Sequence, residues 1–428
     1  MSVEVRSKEE RFTVAYEALT NGDYDEACEG FRSLVEDYPD DGGIWWQFLS
    51  TLRRIRCFDE ADAYNEKCLT LFPNDPGFVL EWTRSFDARA TWDVAIARRS
   101  QMLKLYDPAS DERFIPLVTE QFLPLIEMGR YDDLTLLLDY NWNLLKNRID
   151  CVAAVYYALD ALGDYERESL YLDGIVDLLD DPSGVSGDIN VSNLRSVAQA
   201  AVWNRRWLKG ISGDGRDIRV LSLGQSCLPF TVSNRWGLTL FPGDHAKITP
   251  FDLGAFGRNT AASAVSSDFS EFLDVNTYYE AMTPFGAPQM HHRPSGVHFG
   301  HERGRTIIGD DKSNFHSLMK MKIEAFRFAL NNERCILVFG IVGPCEIEKF
   351  VEEIYPIIRD KNHRIVMLNL TRESLVCPVR SNVSYTHIPM PRDYSWNGLS
   401  DFSSDRGIVF EGKIINAIKK DIEKISHV

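Results

Sequence analysis

Five aromatic-centred segments recur at one spacing through the first half of the chain, and that period constrains the fold more than any other feature. Asp23-Tyr24-Asp25-Glu26-Ala27, Cys57-Phe58-Asp59-Glu60-Ala61 and Thr91-Trp92-Asp93-Val94-Ala95 place their aromatic residues 34 positions apart. Pro39 and Pro73 keep the same interval, and Pro108 follows 35 later. After a five-residue insertion, Gly129-Arg130-Tyr131-Asp132-Asp133 and Gly163-Asp164-Tyr165-Glu166-Arg167 are again 34 apart. A fixed period of this size marks stacked units, each too small to bury its apolar face alone. The pattern predicts helical hairpins. A tight turn ends one helix, the aromatic packs in the turn, and a small residue opens the second helix where it must approach its neighbour closely.

These segments resemble the tetratricopeptide repeat family, most closely in the first three copies. The resemblance implies an α-solenoid over residues 8 to about 205 that docks a protein or peptide partner; a purely buttressing role is the alternative. The polar stretch 180–188 interrupts the last pair, and a helix from Val191 to Leu208 leads to Gly210-Ile211-Ser212-Gly213-Asp214-Gly215. Glycine-rich links of this kind separate domains. The expected organisation is a repeat domain over 1–209, a linker over 210–216 and an α/β domain over 217–428.

Composition excludes several functions. With 47 Lys and Arg against 63 Asp and Glu, the net charge of −16 repels polyanions, so no nucleic-acid partner is expected. The longest apolar run, near Cys335 to Gly343, falls far short of the roughly 20 residues of a membrane helix, and the N-terminus is charged rather than signal-like. Eight cysteines without a C-x-x-C pair read as reduced thiols. A cytoplasmic protein without a membrane partner is expected.

The second half changes character. All nine histidines lie at or after His245, which assigns any chemistry near neutral pH to this half. Apolar runs at Ile218 to Leu223, Cys335 to Phe339, Arg364 to Leu368 and Val383 to Ile388 alternate with helical patterns at Leu228 to Trp236, Lys312 to Leu330, Glu346 to Ile358 and Arg406 to Ile422. Continuous apolar strands between helices predict a mainly parallel sheet covered on both faces, a Rossmann-like three-layer α/β domain. Ligands bind such sheets beyond the carboxyl ends of the strands. The first strand runs into Ser222-Leu223-Gly224-Gln225-Ser226-Cys227, which puts Cys227 at a strand-to-helix elbow where a helix N-terminus lowers a thiol pKa.

Three motifs follow in order: Ser222 to Cys227, Pro250-Phe251-Asp252, and Phe299-Gly300-His301-Glu302. From about Arg219 to Pro391 they resemble a bacterial family of papain-like cysteine peptidases whose chemistry is uncharacterised. Leu253 stands where that family places an aromatic residue, and Glu302 where it places Asp. The resemblance implies Cys227 as nucleophile and His301 as its base, with Asp252 or Glu302 fixing the imidazole tautomer. Gln225 or backbone N–H groups would stabilise an oxyanion, and Gly224, Ser226 and His298 would contact substrate. It also implies, by association, a place in surface-polysaccharide assembly and a small-molecule or glycan substrate. The papain-like label and the Rossmann-like strand pattern disagree. A cysteine directly after the first strand is similar to the SGNH hydrolases, whose base comes from a late loop; the corresponding Asp401 to Asp405 segment holds no histidine.

No metal site is expected, because Arg305 occupies the second histidine position of an H-E-x-x-H pattern that would start at His301. Without a P-loop or G-x-G-x-x-G, no cofactor is expected. Cys345 reads as a packing residue or a resolving thiol. Two functional classes stay open: a cysteine-dependent hydrolase or acyl transferase with a docking domain, and a non-catalytic scaffold whose α/β domain binds a sugar or acyl ligand.

Overall fold

The computed structural model describes residues 7–73, 75–179, 189–211, 218–239, 248–252, 256–257, 260–283, 287–359, 362–378 and 380–426. The polar stretch 180–188, most of the expected linker, Leu253, His245 and His427 lie outside them. The chain separates into two compact units, one of Met1–Pro124 with short pieces at 282–287 and 304–306, the other holding the remainder. Helices between 125 and 211 thus belong to the same unit as the sheets, whereas the sequence reading places a boundary at 210–216.

The N-terminal half is a run of helices. The second helices of five pairs start at Tyr24, Phe58, Trp92, Tyr131 and Tyr165, the aromatic positions of the repeat. One residue with a left-handed backbone closes each preceding helix: Gly22, Arg56, Ala90, Gly129 and Gly163. The next residue donates its N–H back across the turn, Asp23 to Ala18, Cys57 to Leu52, Thr91 to Phe86, Arg130 to Leu125 and Asp164 to Leu159, at 2.9 to 3.0 Å. This satisfies a carbonyl left open at the helix end. The first unit is filled by Phe31, Trp45, Phe48, Leu49 and Phe78, all essentially excluded from solvent.

In the second unit, β1 (Ile218–Ser222) begins a four-stranded sheet. Between it and the next strand of that sheet lies an inserted three-stranded sheet of β2 (Tyr278–Met282), β3 (Pro288–His292) and β4 (His298–Arg303), in spatial order β2-β3-β4. The main sheet resumes with β5 (Arg334–Ile341), β6 (Arg364–Asn369) and β7 (Val383–His387), in order β1-β5-β6-β7 with every pair parallel. β1 and β5 are buried along their whole length, as strands covered on both faces must be. Leu221, Leu337, Phe339, Ile341, Ile365 and Met367 face one core, which also takes in Tyr278, Met290 and Phe299 of the inserted sheet and Phe326 and Phe350 of two helices. On the main sheet the helices Leu228–Arg235 and Asp405–Ser426 pack against β5, and they pack against each other and the Val191–Ile211 helix.

The inserted sheet was not foreseen. The histidine cluster is a hairpin: β3 and β4 pair antiparallel with His291 opposite His298, and Gly296, with φ of 69°, closes the turn. No helix among the described residues is long and apolar enough to cross a membrane.

Candidate functional site

Two backbone hydrogen bonds carry the β1–β5 ladder past the end of β1: Leu223 N–H to the Val338 carbonyl at 2.8 Å and Gln225 N–H to Gly340 at 3.3 Å. The chain then turns into the Leu228–Arg235 helix with Cys227 as its capping residue. Pro229, in the first turn of that helix, lies against both strand ends. A Cβ on Gly224 would come within 3.0 Å of the Pro229 ring, and one on Gly340 within 2.9 Å. The Cys227 carbonyl accepts from Thr231 N–H at 2.9 Å and from Thr231 Oγ1 at 3.0 Å, fixing the first turn.

Cys227 is half-buried, and His301 of β4 reaches it. Burial acts to push the thiol up, but hydrogen bonding to His301 and the field of that ring, with the Trp396 donor, outweighs it and holds Cys227 below the ordinary thiol range. The Trp396 indole N–H donates to Sγ at 3.2 Å. For His301, burial acts downward, and the hydrogen bond to Cys227 with the fields of Glu302, Glu127 and the thiolate brings it above the ordinary imidazole range. Each group therefore favours the charged form of the other. Other cysteines behave oppositely: burial pushes Cys28, Cys68, Cys151, Cys345 and Cys377 upward, Cys345 to about 11.

The carboxylates take different roles. Glu302 is buried in an ion pair with Lys322 of the Ser313–Asn332 helix, which holds its carboxyl below the ordinary range despite burial, and it acts on His301 through its field. Half-buried Glu127 acts in the same way, though burial pushes its own carboxyl up. Asp252, 3% exposed, is turned elsewhere. It accepts the Ser222 N–H at 3.2 Å and the Thr249 N–H at 2.7 Å, tying the end of β1 to the following segment. Burial raises its pKa, and its charged neighbour is Arg219.

Gln225 is a staple. Its Oε1 accepts from Val342 N–H at 3.1 Å and Gly343 N–H at 2.9 Å, and its Nε2 donates to the Pro344 carbonyl at 3.1 Å. The amide is thus committed to the turn after β5. Ser226 Oγ accepts from Leu228 N–H at 3.4 Å, and Gly224 N–H donates to Ser222 Oγ at 3.3 Å. His298 is exposed and meets His291 with ring centroids 5.9 Å apart. His292 is wholly buried, with Ser295 Oγ 2.6 Å from Nδ1 and its ring stacked on Phe272. Among the described residues no group of three His, Cys, Asp or Glu side chains is arranged to hold a metal ion.

Of the residues named from sequence, the fold brings Cys227 and His301 together, while Glu302, next along β4, is paired with Lys322 and reaches the imidazole only through its field. Gly224, Gln225, Ser226 and Asp252 build the turn, and His298 is placed on the hairpin surface. Sequence reasoning missed Trp396, Thr231, Glu127 and the pairing of Lys322 with Glu302. Thr231 was findable as the residue one helical turn after the cysteine; Trp396 lies in an irregular loop without a spacing rule.

No protein-family model matches the chain, and no curated protein matches it.

Proposed function

We propose that the protein is a cysteine-dependent hydrolase or acyl transferase in which Cys227 is the nucleophile and His301 the base. The observation that carries this reading is the placement of Cys227 at the start of a helix beyond the end of a parallel strand, with His301 of β4 beside it and the Trp396 N–H on its sulfur at 3.2 Å, surroundings that favour a lowered thiol and a raised imidazole. In the proposed step the thiolate attacks an acyl carbon, a C–S bond forms, and the bond to the leaving group breaks as His301 gives that group its proton. Water, deprotonated by His301, or an acceptor alcohol then cleaves the thioester and regenerates the thiol. Backbone N–H groups at the elbow are the proposed oxyanion donors, since Gln225 is engaged with the β5 turn.

The proposed fold is Rossmann-like and three-layered; the order β1-β5-β6-β7 with all strands parallel supports it. Likeness to the papain-like family rests on the short motifs at Ser222 to Cys227, Pro250 to Asp252 and Phe299 to Glu302. The helical pairs are proposed to be tetratricopeptide-like and to dock a protein or peptide partner, supported by the 34-residue spacing of their second helices within the first three and within the last two pairs. A small-molecule or glycan substrate and a bacterial polysaccharide pathway complete the proposal and rest on the sequence resemblance, and a cytoplasmic setting rests on the charged N-terminus, the short apolar runs and the cysteines without a C-x-x-C pair.

The test is the rate of iodoacetamide labelling of Cys227 against pH, read by peptide mass spectrometry in the intact protein and in His301→Ala. The expected result is a midpoint well below the reference of about 8.5 that rises in His301→Ala. A thiol that labels only above that reference, or is indifferent to His301, refutes the nucleophile and favours the non-catalytic scaffold.

A further inference from the structure

The helix that carries Cys227 at its first turn carries Arg235 at its last, and the far end reaches back to the thiol. Arg235, 2% exposed, forms a buried ion pair with Glu411 of the Asp405–Ser426 helix, itself fully buried. Its second amino group donates to the Trp396 carbonyl at 2.8 Å, and its guanidinium lies 3.4 Å from the centroid of the Phe402 ring. Glu411 is completed by Tyr394 Oη at 2.5 Å and Trp236 Nε1 at 2.6 Å. The next peptide along is also held, because Tyr157 Oη donates to the Asn397 carbonyl at 3.1 Å. The loop is therefore fixed on both sides of Trp396, whose indole N–H lies on Cys227 Sγ at 3.2 Å.

A buried guanidinium is costly to desolvate, and Arg235 has Glu411 and Asp160 near it to offset that cost. Its Trp396 bond spends one of five donors on a loop carbonyl, which ties a loop that is irregular in sequence to the buried ion pair. An N–H aimed at sulfur favours the thiolate over the thiol, as does an imidazolium. The two donors arrive from separate elements, His301 from the inserted sheet and Trp396 from the loop after β7.

We infer that Trp396 is a second thiolate donor of the site and that Arg235 and Glu411 are positioning residues that act on Cys227 through it. This rests on the functional reading above for its purpose, and its test is kept separate from that reading. Trp396→Phe keeps an aromatic side chain and removes the N–H-bearing half of the indole. Arg235→Lys keeps the charge and removes the bidentate reach, and Tyr394→Phe removes one donor to Glu411 with the least risk to folding.

Each variant is labelled with iodoacetamide across pH alongside the wild type, His301→Ala and the doubles with Trp396→Phe, and its far-ultraviolet circular dichroism is compared with the wild type. Trp396→Phe is expected to raise the Cys227 midpoint by about one pH unit, a tenfold loss of thiolate at pH values below the midpoint. Arg235→Lys and Tyr394→Phe are expected to raise it by less, and to add nothing once Trp396→Phe is present, which a merely structural role would not produce. An unmoved midpoint in Trp396→Phe overturns the inference, as does a shift from the folded Arg235→Lys or Tyr394→Phe that persists undiminished in the Trp396→Phe background. A midpoint that follows Trp396 but ignores His301 defeats the proposed function and leaves this inference standing; the reverse pattern does the opposite.

Discussion

Asp252→Asn separates a structural carboxylate from a catalytic one. The side chain is 3% exposed and accepts two backbone N–H groups, from Ser222 at 3.2 Å and Thr249 at 2.7 Å. Asparagine retains one carbonyl oxygen and sets an NH2 against the other N–H, leaving one buried amide without an acceptor. That loss costs roughly 1–3 kcal/mol, reduced because the amide side chain also escapes the burial that pushes the Asp252 carboxyl up. The expected net loss is about 1–2 kcal/mol, measured as a lowered midpoint in urea unfolding followed by circular dichroism. The Cys227 labelling midpoint should stay within about 0.3 of wild type. The turn bearing the thiol is held independently by the Gln225 amide and by the Leu223 and Gln225 backbone bonds to β5. Unchanged stability, or a labelling midpoint displaced by a full pH unit, would refute the assignment and return Asp252 to the imidazole.

Three further outcomes are expected. Lys322→Met strands Glu302 as an uncompensated buried charge and should cost about 3–5 kcal/mol in urea unfolding, most of it recovered in the Glu302→Leu/Lys322→Met double. Arg56→Gly should gain up to about 1 kcal/mol by the same measurement. Arg56 holds a left-handed φ of 63° at the position where three of the other four turns use Gly22, Gly129 and Gly163, and the relief of strain is partly offset by glycine's larger unfolded entropy. Burial raises Asp160 from 3.8 to about 6, so as pH rises from about 4 to 6 the unfolded chain ionises this group first and the folded state loses stability. Wild type should therefore fall relative to Asp160→Asn over that window by roughly 1–3 kcal/mol, and a flat difference would exclude the effect.

The regular elements were legible because single residues announce them. Tyr24, Phe58, Trp92, Tyr131 and Tyr165 each begin a helix, directly after a tight turn with a left-handed residue that recurs in every copy. β1, β5 and β6 were legible as continuous apolar runs. The inserted sheet was hidden because β2 to β4 are short and rich in His, Gln and Glu, so neither an apolar run nor a clean alternation marks them. At the site, the elbow cysteine and His301 could be named from motifs. Their third partner could not, because Asp252 and Glu302 are equally plausible in sequence and only the fold turns one to backbone amides and the other to Lys322. Trp396 contributes through a loop fixed by a residue 161 positions away, and no local pattern carries that information.

The sulfur and the imidazole are indexed to different sheets. Pro229, lying against the ends of β1 and β5, fixes the thiol to the main sheet, whereas His301 travels with β4. Their separation is therefore set by how Phe299, Tyr278 and Met290 seat against Leu337, Phe339 and their neighbours in the shared core. Displacement of one layer on the other weakens the contact between His301 and Cys227 before it exposes either core to water. Mild heat or denaturant should thus silence the thiol while the secondary structure is still intact, and the reactivity of Cys227 becomes a more sensitive gauge of inter-sheet packing than any spectroscopic signal from the backbone.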